Sequence, residues 1–179
     1  YHQVCPEADA TLCDYGNCFP CFVAAQEDAH RLPYLGDVAL LDQAVDQSQR
    51  AGDRYERFAI DLAVSVDLPK SLSVLTLAFP ATEIRAAVYD NDERALETLD
   101  IAPRRRAAAI WRSGRNVVVS SIAPAAAVFI AALKSGEEPD AALAAAAAED
   151  PANVLATLQS EVFGAPFARV HAHNDKVAS

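Results

Sequence analysis

Ala107-Ala108-Ala109-Ile110-Trp111, Arg112-Ser113-Gly114-Arg115-Asn116 and Val117-Val118-Val119-Ser120-Ser121-Ile122 follow one another without a break, and their reading decides the fold. Two β-prone runs flank a short polar loop that contains a glycine. The loop can reverse the chain, and branched side chains suit a pleated surface, so the stretch predicts a β-hairpin. Three helical stretches follow it. Pro124 to Lys134 ends at Ser135-Gly136, and Pro139 to Ala148 is almost pure alanine. Asp150-Pro151 opens the third, with Asp150 as cap and proline in the first turn, and Gly164 stops it after Val162. The alanine tract implies close packing rather than chemistry, because alanine favours the helix and has little side chain to keep neighbours apart.

Upstream, Tyr34, Leu35, Val38, Leu41 and Val45 recur at spacings of three and four, with Pro33 before them and Ala51-Gly52 after. Asp37, Asp42, Asp46 and Arg50 occupy the other face, which predicts an amphipathic helix. The period then changes to two. Phe58, Ile60, Leu62, Val64, Val66 and Leu68 alternate with smaller or polar residues, as in one half-buried strand. Pro69-Lys70 turns the chain, and Leu72 to Phe79 is expected to pair back on that strand. Thr82 is expected to cap a short helix through Tyr89, and Asp90 to Pro103 reads as connection.

The expected architecture is α+β: N-terminal helices, an antiparallel sheet, then a three-helix C-terminal cap. The segments divide as 1–52, a cysteine-bearing loop and helical part; 53–106, a hairpin and connection; and 107–179, the hairpin with its three helices. Hairpin–helix–helix–helix is the order of a winged-helix-like module, a scaffold that binds DNA or the leader sequence of a peptide precursor.

Composition narrows the choice. The chain has 179 residues, of which 52% are hydrophobic and 22% charged, and a formal net charge of −10. One domain, or two small ones, is expected, and disordered and fibrous classes are excluded. An acidic balance opposes sequence-independent nucleic-acid binding, which needs surplus Lys and Arg. Neither Pro139–Ala148 nor Pro151–Val162 contains a basic residue, which a DNA recognition helix would require. The longest apolar run, Ile122 to Leu133, includes Pro124 and stops at Lys134, so it predicts a buried helix and no membrane span. There is no methionine, so residues preceding Tyr1 are expected in the natural protein. A cytoplasmic location is expected.

Cys5, Cys13, Cys18 and Cys21 are all the cysteines, spaced C-x7-C-x4-C-x2-C. A zinc site usually brings two close pairs of ligands, and only Cys18 and Cys21 form one. Cys18-Phe19-Pro20-Cys21 matches a redox C-x-x-C, but that motif needs a preceding strand and a βαβ setting. Structural disulfides and reduced thiols packed as small hydrophobes are the other readings. His171 and His173, with Asp175, form an H-x-H pattern that suits either a metal on an extended strand or a solvated tail; His2 and His30 are isolated. Arg104, Arg105, Arg106, Arg112 and Arg115 are the one basic concentration, fit for an acidic peptide segment or phosphate, or simply a solvated loop. A glycine-rich phosphate loop, a nucleophile elbow and H-E-x-x-H are all missing, which favours a binding or accessory subunit over a free-standing enzyme.

Several segments resemble a known family. Tyr15-Gly16-Asn17-Cys18-Phe19-Pro20-Cys21-Phe22 is similar to its YGxxFPxF motif, and Leu32-Pro33-Tyr34-Leu35-Gly36-Asp37-Val38-Ala39 to its LPYLxDVA motif. Ile110-Trp111-Arg112, Val117 to Val119 and the downstream helices resemble its C-terminal half. These are the DNA-binding-domain partner proteins encoded beside iron-dependent TIM-barrel enzymes that modify cysteines in ribosomal peptides. The shortened form and the cysteine-rich opening look most like the small subunits of methanobactin biosynthesis complexes. Three of the four cysteines fall where the broader family is variable, and its long N-terminal helical domain has no counterpart in this sequence.

The resemblance implies a heterodimer with an iron-containing TIM-barrel subunit. That pair uses O2 to convert precursor cysteines to oxazolone–thioamide groups, which chelate copper. Iron chemistry would belong to the barrel. This chain would hold no cofactor and no catalytic residue, would bind the leader peptide, and would need neither nucleic acid nor membrane. The expected mode is β-augmentation along Val117, Val118, Val119, Ser120, Ser121 and Ile122, with Val154, Leu155 and Leu158 as the other wall; ordinary core packing is their other role. Phe19, Phe22, Tyr34 and Asp37 are the candidates for the partner interface, or for an internal staple between loop and first helix. The competing readings are a winged-helix DNA-binding regulator and a small zinc or redox protein using the four cysteines.

Overall fold

The computed structural model describes residues 18–52, 54–61 and 64–172. In chain order these form α1 (Phe19–Ala24), a 3-10 turn (Glu27–His30), α2 (Leu35–Arg50), β1 (Tyr55–Ala59), β2 (Val64–Pro69) and β3 (Ser73–Leu77). Next come α3 (Ala81–Tyr89), α4 (Glu93–Thr98), β4 (Arg106–Ser113), β5 (Asn116–Ile122), α5 (Pro124–Lys134), α6 (Pro139–Glu149), α7 (Val154–Leu158) and β6 (Arg169–Ala172). The fold is α+β, with two three-stranded sheets ordered β1-β2-β6 and β3-β4-β5. No helix is long and apolar enough to cross a membrane.

Two units are present. Among the described residues, the first comprises those of 18–47 and 77–105, the second those of 48–76 and 106–172. In the second, the 55–69 hairpin and the chain from 106 onward, separate segments on the sequence reading, share one unit.

In the first unit, α2 buries Leu41 and Ala44, and α3 buries Ala81, Ile84 and Ala87. One carboxylate oxygen of Asp37, Oδ2, accepts hydrogen bonds from the backbone N–H groups of Ala78 and Phe79, both at 2.7 Å. The helix over 81–89 forms as expected, but Thr82 is not its cap: Pro80 holds that place and the Thr82 hydroxyl donates to Glu83. Asp90 to Pro103 is not all connection either. Asp92 accepts from Ala95 N–H at 2.9 Å and starts α4.

In the second unit, the 58–68 alternation is two strands and not one. Asp61 Oδ1 accepts the Val64 N–H at 2.7 Å, a local side-chain bond that competes with continued extension and turns the chain. β1 and β2 therefore form an antiparallel hairpin in which Phe58 faces Val66. β3 does not pair back on β2; it joins β4 in the other sheet. The partner taken by β2 is β6, where Ser65 faces His171. The solvated-tail reading of that histidine is thus overturned for residues 169–172, while His173 and Asp175 lie outside the described residues.

Asp67 ties this sheet together. Arg57 on β1 grips it with Nε–Oδ1 at 2.7 Å and Nη2–Oδ2 at 3.1 Å, and His171 Nε2 on β6 lies 2.9 Å from Oδ2. The Arg57 hydrogen bond, helped by His171, outweighs the cost of burial and lowers the Asp67 pKa from 3.8 to about 2. The core lies where α5 packs on β4 and α6. Phe129, Ile130 and Leu133 from α5 meet Trp111 of β4, Val66 and Leu68 of β2, and Phe167, whose ring is edge-on to Trp111 at 5.0 Å. The alanine helix buries Ala142 and Ala146 in this cluster, as its composition predicts.

Candidate functional site

The 106–122 hairpin closes on a two-residue turn, Gly114-Arg115, between the facing residues Ser113 and Asn116. Gly114 has φ +62, a conformation that L side chains rarely adopt, and a glycine first in such a turn suits the right-handed strand twist. β4 then runs between β3 and β5, leaving β5 at the edge, with β4 its one strand partner among the described residues.

The direction of the backbone groups on β5 follows from β4. The Arg112 N–H bonds to Ser71 Oγ at 3.1 Å, and the Ile110 carbonyl accepts from Ser48 Oγ at 3.4 Å. Both therefore point away from β5. In an antiparallel ladder alternate residues point to opposite sides, so Trp111 and Ala109 exchange bonds with their opposites, Val118 and Ser120. Val117 and Val119, opposite Arg112 and Ile110, direct their N–H and C=O groups outward, to the open edge. Side chains alternate too: Val118 and Ile122 pack on the core, while Val117 and Val119 are half-buried on the other face. Ser120 is half-buried and Ser121 exposed.

Two of the three residues expected as the other wall of that edge serve the core instead. Val154 and Leu158, one helical turn apart, are both buried in the core at 8% and 3% exposure, whereas Leu155, about 100° round the helix, is 69% exposed. The helix is also shorter than expected. Asp150 Oδ1 does accept from Asn153 N–H at 3.1 Å, but regular α-helix starts at Val154 and gives way to a π-turn over Gln159–Phe163. The Glu161 carboxylate accepts the Ala123 N–H at 2.6 Å, which fastens this turn to the end of β5.

The interface candidates lie in the first unit. Phe19 is half exposed, and Phe22, Tyr34 and Asp37 are intermediate. Asp37 has the internal task already described. Of the basic residues, Arg104 and Arg105 belong to the first unit and Arg106, Arg112 and Arg115 to the second. Arg104 pairs with Asp100. Arg112 braces its own hairpin, donating to the carbonyls of Gly114 at 2.8 Å and Ala51 at 2.9 Å. It also lines a cavity of about 320 Å³ with Trp111, Phe167 and Arg169, whose guanidinium lies 3.8 Å over the Tyr55 ring. Arg169 escaped the sequence reading, because only the β2–β6 pairing brings it there.

Cys18 is disulfide-bonded, whereas Cys21 is a free, exposed thiol, so the two do not form a C-x-x-C disulfide. Cys5, Cys13 and His2 lie outside the described residues. No group of three or more His, Cys, Asp or Glu that could hold a metal occurs among the described residues. No family model, curated protein or solved structure matches the chain.

Proposed function

We propose that this chain is the non-catalytic, peptide-binding subunit of an iron-dependent, O2-using enzyme of the methanobactin type, and that a precursor's leader peptide adds to the sheet beside β5. The outward-facing main-chain groups of Val117 and Val119 carry the reading. An extended peptide satisfies those groups in sequence-tolerant fashion, and the half-buried valine side chains offer shallow apolar contacts that select alternate peptide residues. The two sequence motifs, YGxxFPxF and LPYLxDVA, support the choice of partner. Phe19, about half exposed, is the contact proposed for the iron-barrel subunit. Cysteine oxidation itself would take place at the barrel's iron, and this chain would hold the substrate in reach, where positioning raises the effective concentration of the cysteine.

The test is co-expression of a methanobactin-type precursor with the iron-barrel subunit, with and without this protein, read by peptide mass. A mass change that needs this chain supports the proposal. The same change in its absence, or none in its presence, overturns it.

A further inference from the structure

The three-helix cap contains a cavity unconnected with the β5 argument. It has a volume of about 430 Å³ and is lined by Phe129 of α5, Leu143 of α6, Leu155 of α7, Phe163 at the end of the π-turn, and Ile60 from the β1–β2 turn. Leu155 is exposed beside it, although its neighbours Val154 and Leu158 are buried. A leucine left 69% exposed at the mouth of an apolar hollow is surface that a partner can cover. The wall behind it is the π-turn, a form that recurs at functional sites. Gly164 closes that turn where a Cβ would stand 3.0 Å from the Gln159 carbonyl oxygen and 3.1 Å from that of Ser160, closer than most side chains approach backbone, so glycine suits the shape.

Charge chooses the occupant. Asp61 and Asp140 stand on the rim, and Glu138 joins them around an adjoining hollow of about 320 Å³. No lysine, arginine or histidine lines either space among the described residues. A neutral apolar ligand that covered these carboxylates would cost them water, and an acidic one would be repelled. A basic group beside an apolar anchor offsets both costs, and the net charge of −10 draws such a ligand in. We infer that this cavity binds a basic amphipathic peptide segment: a leucine-sized or larger side chain enters between Phe129, Leu143 and Leu155, while flanking lysines or arginines meet Asp61 and Asp140. The inference does not rest on the β5 reading.

The test uses a fluorescein-labelled peptide of leucines set among lysines and arginines, and a companion with glutamates in the basic positions, both read by fluorescence polarisation on the full chain. The basic peptide is expected to bind, the acidic one not. Leu155→Asp should weaken binding about tenfold or more, as loss of an apolar anchor does. Asp61→Asn with Asp140→Asn keeps the oxygen that accepts the Val64 N–H, and should weaken binding and flatten its salt dependence. Circular dichroism checks that both variants are folded. Equal binding of the two peptides, no binding of either, or wild-type affinity in both folded variants overturns the inference. A concentration-dependent dimer that Leu155→Asp abolishes also overturns it, since the occupant would then be a second copy of the chain.

Discussion

Val119 stands directly opposite Ile110 in the β4–β5 ladder, and the two point their main-chain groups in opposite directions. The carbonyl of Ile110 faces inward to Ser48, so the N–H of Val119 faces outward. A proline at 119 therefore removes an N–H that the hairpin does not use. Val119→Pro should leave the far-ultraviolet circular dichroism near that of the parent and reduce leader-peptide affinity about tenfold or more. Val118→Pro removes an N–H that β4 does use, and should lower the melting temperature as well. Titration calorimetry and thermal melts of the two variants separate these effects.

Asp67 makes stability depend on acid. Its folded-state pKa is lowered from 3.8 to about 2, chiefly by Arg57 and then by His171. The carboxylate's contribution is thus fully present above about pH 4 and is lost as pH falls toward 2. Asp67→Asn should lower the melting temperature at pH 7 and shrink the difference between wild type and variant across that acid window. A gap between the two melting curves that stays constant from pH 5 to about pH 2 would show that Asp67 makes no such contribution.

Leu155 and Leu158 differ by three positions and should differ in energy. Leu158→Ala opens the core and should cost about 2–5 kcal/mol. Leu155→Ala, at an exposed position, should stay within about 0.5 kcal/mol. Chemical denaturation with urea measures both.

Asp37 accepts two backbone N–H groups through one oxygen. Asp37→Ala leaves both without that acceptor and should cost about 1–3 kcal/mol. Asp37→Asn keeps a carbonyl oxygen in place and should cost less. If the alanine variant melts with wild type, the two hydrogen bonds from Ala78 and Phe79 make no such contribution.

What the sequence revealed was local. The 106–122 hairpin, the amphipathic α2 and the helices α5 and α6 all follow from periodicity, glycine and proline within a few residues. The partners of β3 and β6 do not, because strand pairing across many residues is decided by the assembled core rather than by either segment. Asp61 shows the intermediate case. Its carboxylate breaks an alternation that reads as one strand, and an aspartate before a short polar-to-apolar change is a signal that can be read. The same holds for Asp92 and α4. Arg169 and the acid-rimmed cavity carried no sequence signal, since their members come from elements far apart in the chain.

Amide hydrogen exchange, residue by residue and with leader peptide added, tests the central proposal most directly. Strand addition at β5 predicts that the Val117 and Val119 N–H groups, outward-facing in the free protein, become protected on binding. The Val118 and Ser120 N–H groups, already bonded to β4, should be protected in both states. A leader peptide that binds while Val117 and Val119 continue to exchange as before would contradict the account.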